Sequence, residues 1–175
     1  VPTEVEVATL AELQAALADN SNELPIIITE TIVIPEGETV VLDLNGKTIS
    51  SDVSTITVDG GKLTVKDSVG TGKISTSDKS GSYEAVAVKN NGTFTLKSGT
   101  VQSGKYGIYA YSSIGNIVVE GGKVEVSGTS QPIAIAVSKG AATISGGEIV
   151  VTTTGDDGSW TAYAWSGGKI AISGG

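Results

Sequence analysis

One strand pattern, repeated four times between residues 83 and 175, constrains the fold of this chain more than any other feature. Each copy has a short strand of alternating small and large residues, a turn ending in Gly, a second alternating strand, a Ser-Gly or Gly-Gly step, and a third short strand. In the first copy these strands fall at residues 85–88, 92–96 and 98–101. This three-strand cycle is typical of a parallel β-helix, in which each cycle forms one rung.

The glycine before the middle strand recurs at unequal intervals, at positions 61, 92, 115, 140 and 168. A constant strand pattern with unequal spacing indicates that each rung accepts insertions at its corners, as solenoids do. A sandwich or barrel would instead show hairpin turns. We therefore predict an all-β chain, a right-handed parallel β-helix of three sheets with about six rungs, each about 4.8 Å above the last.

The N-terminal segment predicts a cap. Residues 3–7 alternate as in a short strand, and Thr9 and Glu12 then form a capping box that begins a helix of about ten residues. The apolar stripe of this helix consists of Leu10, Leu13, Ala16 and Leu17. We expect residues 1–24 to form the cap and residues 25–175 the β-helix, all within one domain.

The chain reads as a piece of a longer protein. It contains no Met, so we expect that the initiator Met and any signal peptide have been removed. It also stops at Gly174-Gly175, where earlier copies of the repeat continue into another strand. We therefore expect the β-helix to be truncated at its C-terminal end.

The middle strand of each copy predicts the core. Its alternate positions form an apolar column, and a period of two specifies the register strongly. The residues predicted to point inward are Leu63 and Val65, Phe94 and Leu96, Ile117 and Val119, Ala142 and Ile144, and Ile170 and Ile172.

The first strand of each copy leaves two arrangements open. Aligned copies begin at Ala85, Ile108, Ala134 and Ala162, with alanines on one face and large residues on the other. Either the large residues fill the coil or the alanines do. We favour inward alanines, because buried tyrosine hydroxyls would need partners inside a narrow apolar coil, and because Ile108 shares the alanine face.

Inward alanines would place an aromatic strip on the outer surface. The strip contains Tyr109, Tyr111, Tyr163 and Trp165, joined by Trp160 from a neighbouring loop. Flat aromatic faces rimmed with carboxylates suit stacking against sugar rings. Exposed apolar patches also serve as packing surfaces for a neighbouring domain or a second chain, and the sequence leaves both interpretations open.

The composition excludes several classes of function. The formal net charge is −8, and there is no Arg, no His and no basic run, which argues against nucleic acid and anionic membranes as partners. No apolar stretch is long enough to span a bilayer. The absence of Cys and His removes disulfides and the commonest metal ligands, so we predict no cofactor and no metal site.

Three other candidates are weaker. Asp156 and Asp157 lie in a glycine-rich insertion, but adjacent acids are more often solvated loop charges than a Ca²⁺ site. Asp43 and Asp67 occupy similar points of successive rungs, near Lys66, and we interpret them as surface charges. The outward threonine column, as on ice-binding solenoids, is interrupted by Val118 and Ala171; its members are Thr64, Thr95 and Thr143.

Three stretches carry a resemblance to a known family. Residues 9–17, 31–37 and 41–49, with the later steps at 106–109 and 121–124, resemble adhesin-like bacterial surface proteins of the pectate-lyase-like β-helix superfamily. The likeness covers nearly the whole chain, but its motifs are structural. It implies the fold, export and a place in a larger cell-surface protein, and it transfers no site residue.

Three functions follow as expectations. The first is a non-catalytic extracellular adhesin-like module that contacts cell-surface or host glycans, or an adjoining domain, through the aromatic strip. The second is a passive spacer. The third, suggested by the enzyme branch of the superfamily, is a polysaccharide lyase or hydrolase. We expect no enzyme activity, because the acids are spread along the chain and no carboxylate pair has a recognisable spacing.

Overall fold

The structure is a computed structural model that describes residues 3–77, 83–155 and 158–175. A cap precedes the rungs and consists of β1 (Val5–Val7), α1 (Leu10–Ala18) and β2 (Ile26–Ile28). The first three rungs comprise β3 (Ile32–Pro35), β4 (Thr39–Asp43) and β5 (Thr48–Ser51); β6 (Ile56–Asp59), β7 (Lys62–Lys66) and β8 (Lys73–Thr76); and β9 (Glu84–Lys89), β10 (Thr93–Leu96) and β11 (Thr100–Ser103). The last three comprise β12 (Tyr106–Ala110), β13 (Gly115–Val119) and β14 (Lys123–Gly128); β15 (Ile133–Val137), β16 (Gly140–Ile144) and β17 (Glu148–Thr153); and β18 (Trp160–Ala164) with β19 (Lys169–Ile172).

These strands form three parallel sheets, so the predicted β-solenoid of about six rungs is confirmed. The first sheet has the order β3-β6-β9-β12-β15-β18, and the middle sheet β4-β7-β10-β13-β16-β19. The third sheet has the order β1-β2-β5-β8-β11-β14-β17. Within each sheet, every strand except the two end strands pairs with one strand on either side, because the coil returns to the same sheet once per cycle.

The predicted core column of the middle sheet is confirmed along most of its length. Phe94 pairs with Leu63 on one side and with Ile117 on the other, and all three are buried. The exception is the last strand, β19, where Ile170 is half-buried and Ile172 is 66% exposed. Since β19 lies at the edge of its sheet, no further rung covers these two side chains.

Glycine is required where rungs stack closely at a corner. Gly140 has a φ of +102°, and a Cβ there would lie 2.0 Å from the carbonyl oxygen of Gly115, the equivalent residue one rung earlier. Any side chain at Gly140 would therefore combine a strained backbone with a clash against backbone atoms.

The N-terminal helix forms as the sequence predicts. Helix α1 begins with the capping box of Thr9 and Glu12, and Leu13 and Leu17 are buried against the first rung. At the other end of the helix, the Lys47 ammonium donates hydrogen bonds to the carbonyl oxygens of Ala16 and Asp19. A cation interacts favourably with the free carbonyl groups at a helix C-terminus, so Lys47 stabilises the packing of the cap helix against the coil. Among the described residues, no helix is both long enough and apolar enough to cross a membrane.

The register of the first sheet corrects the alignment of the repeats. The alignment placed Tyr109 level with Val86, whereas Tyr109 pairs with Ala87, and Ile108 pairs with Val86. A shift of one residue exchanges the two faces of a strand. Inward alanines were therefore wrong at Ala87 and Ala136, which lie outside the core cluster, and right at Ala85 and Ala134, which belong to it. The β-branched residues of the same two copies also fill the core: Val86, Val88, Ile135 and Val137. The outward aromatic side chains of the other two copies are confirmed.

Candidate functional site: an aromatic surface on the first sheet

Six aromatic side chains occupy the outer face of the first sheet, in two rows on the fourth and sixth rungs. The strand register places Tyr109 and Tyr163 level with each other, one on either side of Ala136. We call the six residues the aromatic surface: Tyr106, Tyr109, Tyr111, Trp160, Tyr163 and Trp165. It contains all five residues predicted from the sequence, together with Tyr106.

Tyr106 was missed because strict alternation would put it on the opposite face from Tyr109. The ladder between β12 and its neighbours skips Gly107, and a Cβ on Gly107 would point at the Val124 and Val126 side chains in the core. Residues 107 and 108 thus both face inward, and Tyr106 returns to the outer face. The repeated spacing of aromatic residues at 106, 109, 111 and at 160, 163, 165 was the available signal.

The rings form one continuous set of contacts. Within the fourth rung, the Tyr109 ring centroid lies 5.1 Å from that of Tyr106 and 5.1 Å from that of Tyr111. Within the sixth rung, Tyr163 lies 5.2 Å from both Trp160 and Trp165. Tyr109 and Trp165, at 5.6 Å, join the two rows. Four of these contacts are tilted and the Tyr163–Trp165 contact is stacked, and both geometries are favourable for aromatic pairs.

Small residues on the fifth rung allow the two rows to meet. Ala136 points outward between Tyr109 and Tyr163, yet it is fully buried and does not belong to the core cluster. The rings on either side therefore cover it. Ser138, also buried, donates from its hydroxyl to the carbonyl oxygen of Ala110. Tyr163 is 39% exposed and the other five rings are half-buried.

The charged groups beside the aromatic surface form a cation–π contact and an ion pair. Lys105 Nζ lies 5.7 Å from the Tyr106 ring centroid. Lys89 Nζ lies 3.3 Å from an Asp59 carboxylate oxygen, and Asn90 donates to the other oxygen at 2.6 Å. The hydrogen bond from Asn90 lowers the pKa of Asp59 most, and the hydrogen bond from Lys89 lowers it further. Together they outweigh desolvation, which raises the pKa, so the pKa lies below its usual range.

Glu84 is the most buried carboxyl next to the aromatic surface. It pairs across the ladder with Tyr106, is 6% exposed and accepts a 3.0 Å hydrogen bond from the Ser54 hydroxyl. Desolvation raises its pKa. Desolvation likewise raises the pKa of the Tyr109 and Tyr111 phenols, with the nearby Glu84 charge adding to the effect. These phenols are therefore neutral hydrogen-bond donors at neutral pH.

The weaker acidic candidates have structural roles. Asp67 is buried and accepts from the backbone N–H groups of Gly46 at 2.8 Å and Gly72 at 2.6 Å, so it holds two corners together. Asp43 lies 3.1 Å from Lys66 Nζ. Desolvation raises its pKa, but the backbone N–H groups of Ser68 and Asn45 together with Lys66 outweigh it and lower the pKa to about 2.

The remaining candidates are a metal site, the Asp156-Asp157 pair and the outward threonine column. Within the described ranges, no three His, Cys, Asp or Glu residues are grouped so as to hold a metal ion. Asp156 and Asp157 lie outside the described residues. The outward threonine column of the middle sheet pairs Thr95 with Thr64 and Val118, so its interruption is confirmed. No buried side-chain N or O atom in the described part of the chain lacks a hydrogen-bond partner.

Comparisons with protein-family models, with curated proteins and with solved structures found no match to this chain.

Proposed function

We propose that this chain is a non-catalytic extracellular module of a bacterial cell-surface protein and that it binds glycans through the aromatic surface. The observation that carries the proposal is the outward presentation of six contacting aromatic rings on a rigid parallel sheet. Surface localisation and export rest on the resemblance of residues 9–17, 31–37 and 41–49 to adhesin-like proteins of the pectate-lyase-like superfamily.

The size of the aromatic surface favours a glycan over a protein partner. Five residue steps along a strand span about 17 Å, and two rungs span about 10 Å, giving an area of about 170 Å². A stable protein–protein interface takes about 800 Å² from each partner. The surface is thus closer to the footprint of two or three sugar residues than to that of a folded domain.

The chemistry of the surface also suits sugars. Aromatic faces pack against the C–H groups of pyranose rings, while the Tyr hydroxyls and Trp indole N–H groups offer hydrogen bonds at the edges. Lys105, above Tyr106, adds a cationic donor. Because the rings pack against one another, they are already ordered, which lowers the entropic cost of binding.

The alternative function, a polysaccharide lyase or hydrolase, has less support. A glycosidase needs two carboxyl groups facing the substrate, and a lyase needs a base at the bound sugar. Of the carboxyls beside the aromatic surface, Asp59 is paired with Lys89 and Glu84 is buried. Incubation with uronate polymers and neutral glycans, followed by detection of unsaturated or shortened products, tests this alternative directly.

The binding proposal is tested by glycan-array retention of the purified chain and of its Tyr111→Ala and Trp165→Ala variants. We expect retention of the unmodified chain on a subset of glycans and its loss in both variants. The matched control is Val41→Ala, which removes an apolar side chain that is 58% exposed on the middle sheet. Sedimentation of the same samples detects self-association. Retention unchanged by both aromatic substitutions, or loss of self-association in place of glycan retention, contradicts the proposal.

A further inference from the structure

The aromatic residues of this protein are concentrated in one place, and the other oxidation-prone residues are absent. The chain has no Cys and no Met, the residues that usually take oxidative damage first. It has five Tyr and two Trp, and six of these seven lie in the aromatic surface. An oxidant that attacks this protein therefore acts chiefly on one cluster of rings.

Tyr109 makes more ring contacts than any other member of the aromatic surface. Its ring touches those of Tyr106, Tyr111 and Trp165, and Trp165 continues through Tyr163 to Trp160. Centroid separations of 5.1 to 5.6 Å place neighbouring rings in van der Waals contact. An electron vacancy created on the sixth rung therefore has a continuous path of ring contacts to Tyr109 on the fourth.

We propose that the aromatic surface is an oxidative modification site, at which one-electron oxidants couple Tyr109 covalently to Tyr106 or Tyr111. Each of the two phenols gives one electron to the oxidant and one proton to water, forming a phenoxyl radical. The radicals join through a new carbon–carbon bond between ring positions ortho to the hydroxyls, and both rings regain aromaticity. The cross-link thus consumes two equivalents of the oxidant and releases two protons.

Tyr109 is the residue on which coupling depends, because its ring contacts two other tyrosines. Tyr163 contacts only tryptophans among the rings of the aromatic surface. Tyr83, the remaining tyrosine, directly precedes β9 and is 39% exposed. The expected product is therefore a cross-link within one chain, on one rung.

The test uses photochemically generated ruthenium(III) tris-bipyridine on the folded protein, followed by trypsin digestion and mass spectrometry. Trypsin cleaves after Lys105 and Lys123, so Tyr106, Tyr109 and Tyr111 share the peptide 106–123. We expect this peptide to lose the mass of two hydrogen atoms and to gain dityrosine fluorescence, while no covalent link forms between chains. Oxygen addition at the tryptophans without coupling, or dityrosine found only between chains, overturns the proposal.

Three comparisons test whether coupling depends on the folded arrangement of the rings or only on the local sequence. Tyr109→Phe removes only a hydroxyl, keeps the ring contacts and is expected to abolish the mass loss, whereas Tyr83→Phe is expected to leave it unchanged. In denaturant, where the ring contacts are absent, the yield is expected to fall. Equal yield in folded and unfolded protein, or persistence in Tyr109→Phe, contradicts the assignment. None of these outcomes depends on glycan binding.

Discussion

The Tyr109 and Trp165 rings lie 5.6 Å apart, at an angle of 42°, although the rung of β15 separates their strands. Two rungs of a parallel sheet span about 10 Å, so the two side chains lean towards each other. They do so over Ala136 and Ser138, which are buried beneath the rings. This side-chain contact therefore connects the fourth rung directly to the sixth. The backbone hydrogen bonds connect each of these rungs only to the fifth rung between them.

A double-mutant cycle measures the coupling energy between Tyr109 and Trp165. Tyr109→Ala and Trp165→Ala are each expected to lower the free energy of unfolding, and their coupling energy is expected to be about 0.5–1.5 kcal/mol because the ring pair is lost in either variant. Urea unfolding followed by circular dichroism gives the three differences. Val41→Ala combined with Trp165→Ala is the control, for which we expect additive effects. A coupling energy near zero for the aromatic pair would show that the rings are only neighbours.

Glu84 makes the stability of the protein depend on pH. Its pKa is raised by desolvation above the usual 4.5, so the folded protein retains this proton to a higher pH than the unfolded chain. The contribution of this group to stability is full below pH 4.5 and is lost as the pH rises through the folded-state pKa.

Glu84→Gln keeps an acceptor for the Ser54 hydroxyl and removes the buried charge. We expect this variant to be more stable than the unmodified protein at pH 7 and equally stable near pH 4. Thermal unfolding at both values checks the expectation, with the exposed Glu36→Gln as the control. A variant that is less stable at pH 7 would mean that the Glu84 charge is stabilising where it lies.

Lys47 stabilises the packing of the cap helix against the coil. Lys47→Met keeps most of the apolar stem but leaves the carbonyl oxygens of Ala16 and Asp19 without the ammonium donor. Hydrogen bonds to charged groups contribute about 1.5–3 kcal/mol, so we expect a loss of about 2 kcal/mol, seen as faster amide exchange in α1. Lys62→Met, at an exposed lysine, is the control. Unchanged exchange in α1 would contradict this role.

Gly140 lies where two corners stack closely. Gly140→Ala is expected to cost about 3 kcal/mol or more, because the new Cβ meets the Gly115 carbonyl oxygen and the backbone is left-handed. The matched control is Gly37→Ala, which has a φ of +86° but nothing within 4 Å of its Cβ. That variant is expected to lose only about 1 kcal/mol, from backbone strain alone. Chemical denaturation compares the two, and equal losses would exclude the clash.

The fold was predictable because it depends on local pattern. The capping box of Thr9 and Glu12 and the apolar stripe of α1 are encoded within one short segment. The period of two in the middle strand, with Phe94 and Leu96 inward, is set by the pleat itself. Turn glycines, including Gly140, recur with the rungs.

The candidate site was only partly predictable. Five of its six residues follow from the sequence, but Tyr106 does not, because the inward turn of Gly107 breaks the alternation of β12.

The sequence by itself thus determined the repeat, the cap, the middle column of the core and the presence of aromatic residues on the first strand. Tertiary structure decided the register of that first sheet, and with it the meeting of Tyr109 and Trp165. The reason is physical: a small-large alternation reads equally well in either register, so local preference cannot choose between them. The choice falls to the coil interior, where Val86, Ile108 and Ile135 fill the same column and the rings must lie outside.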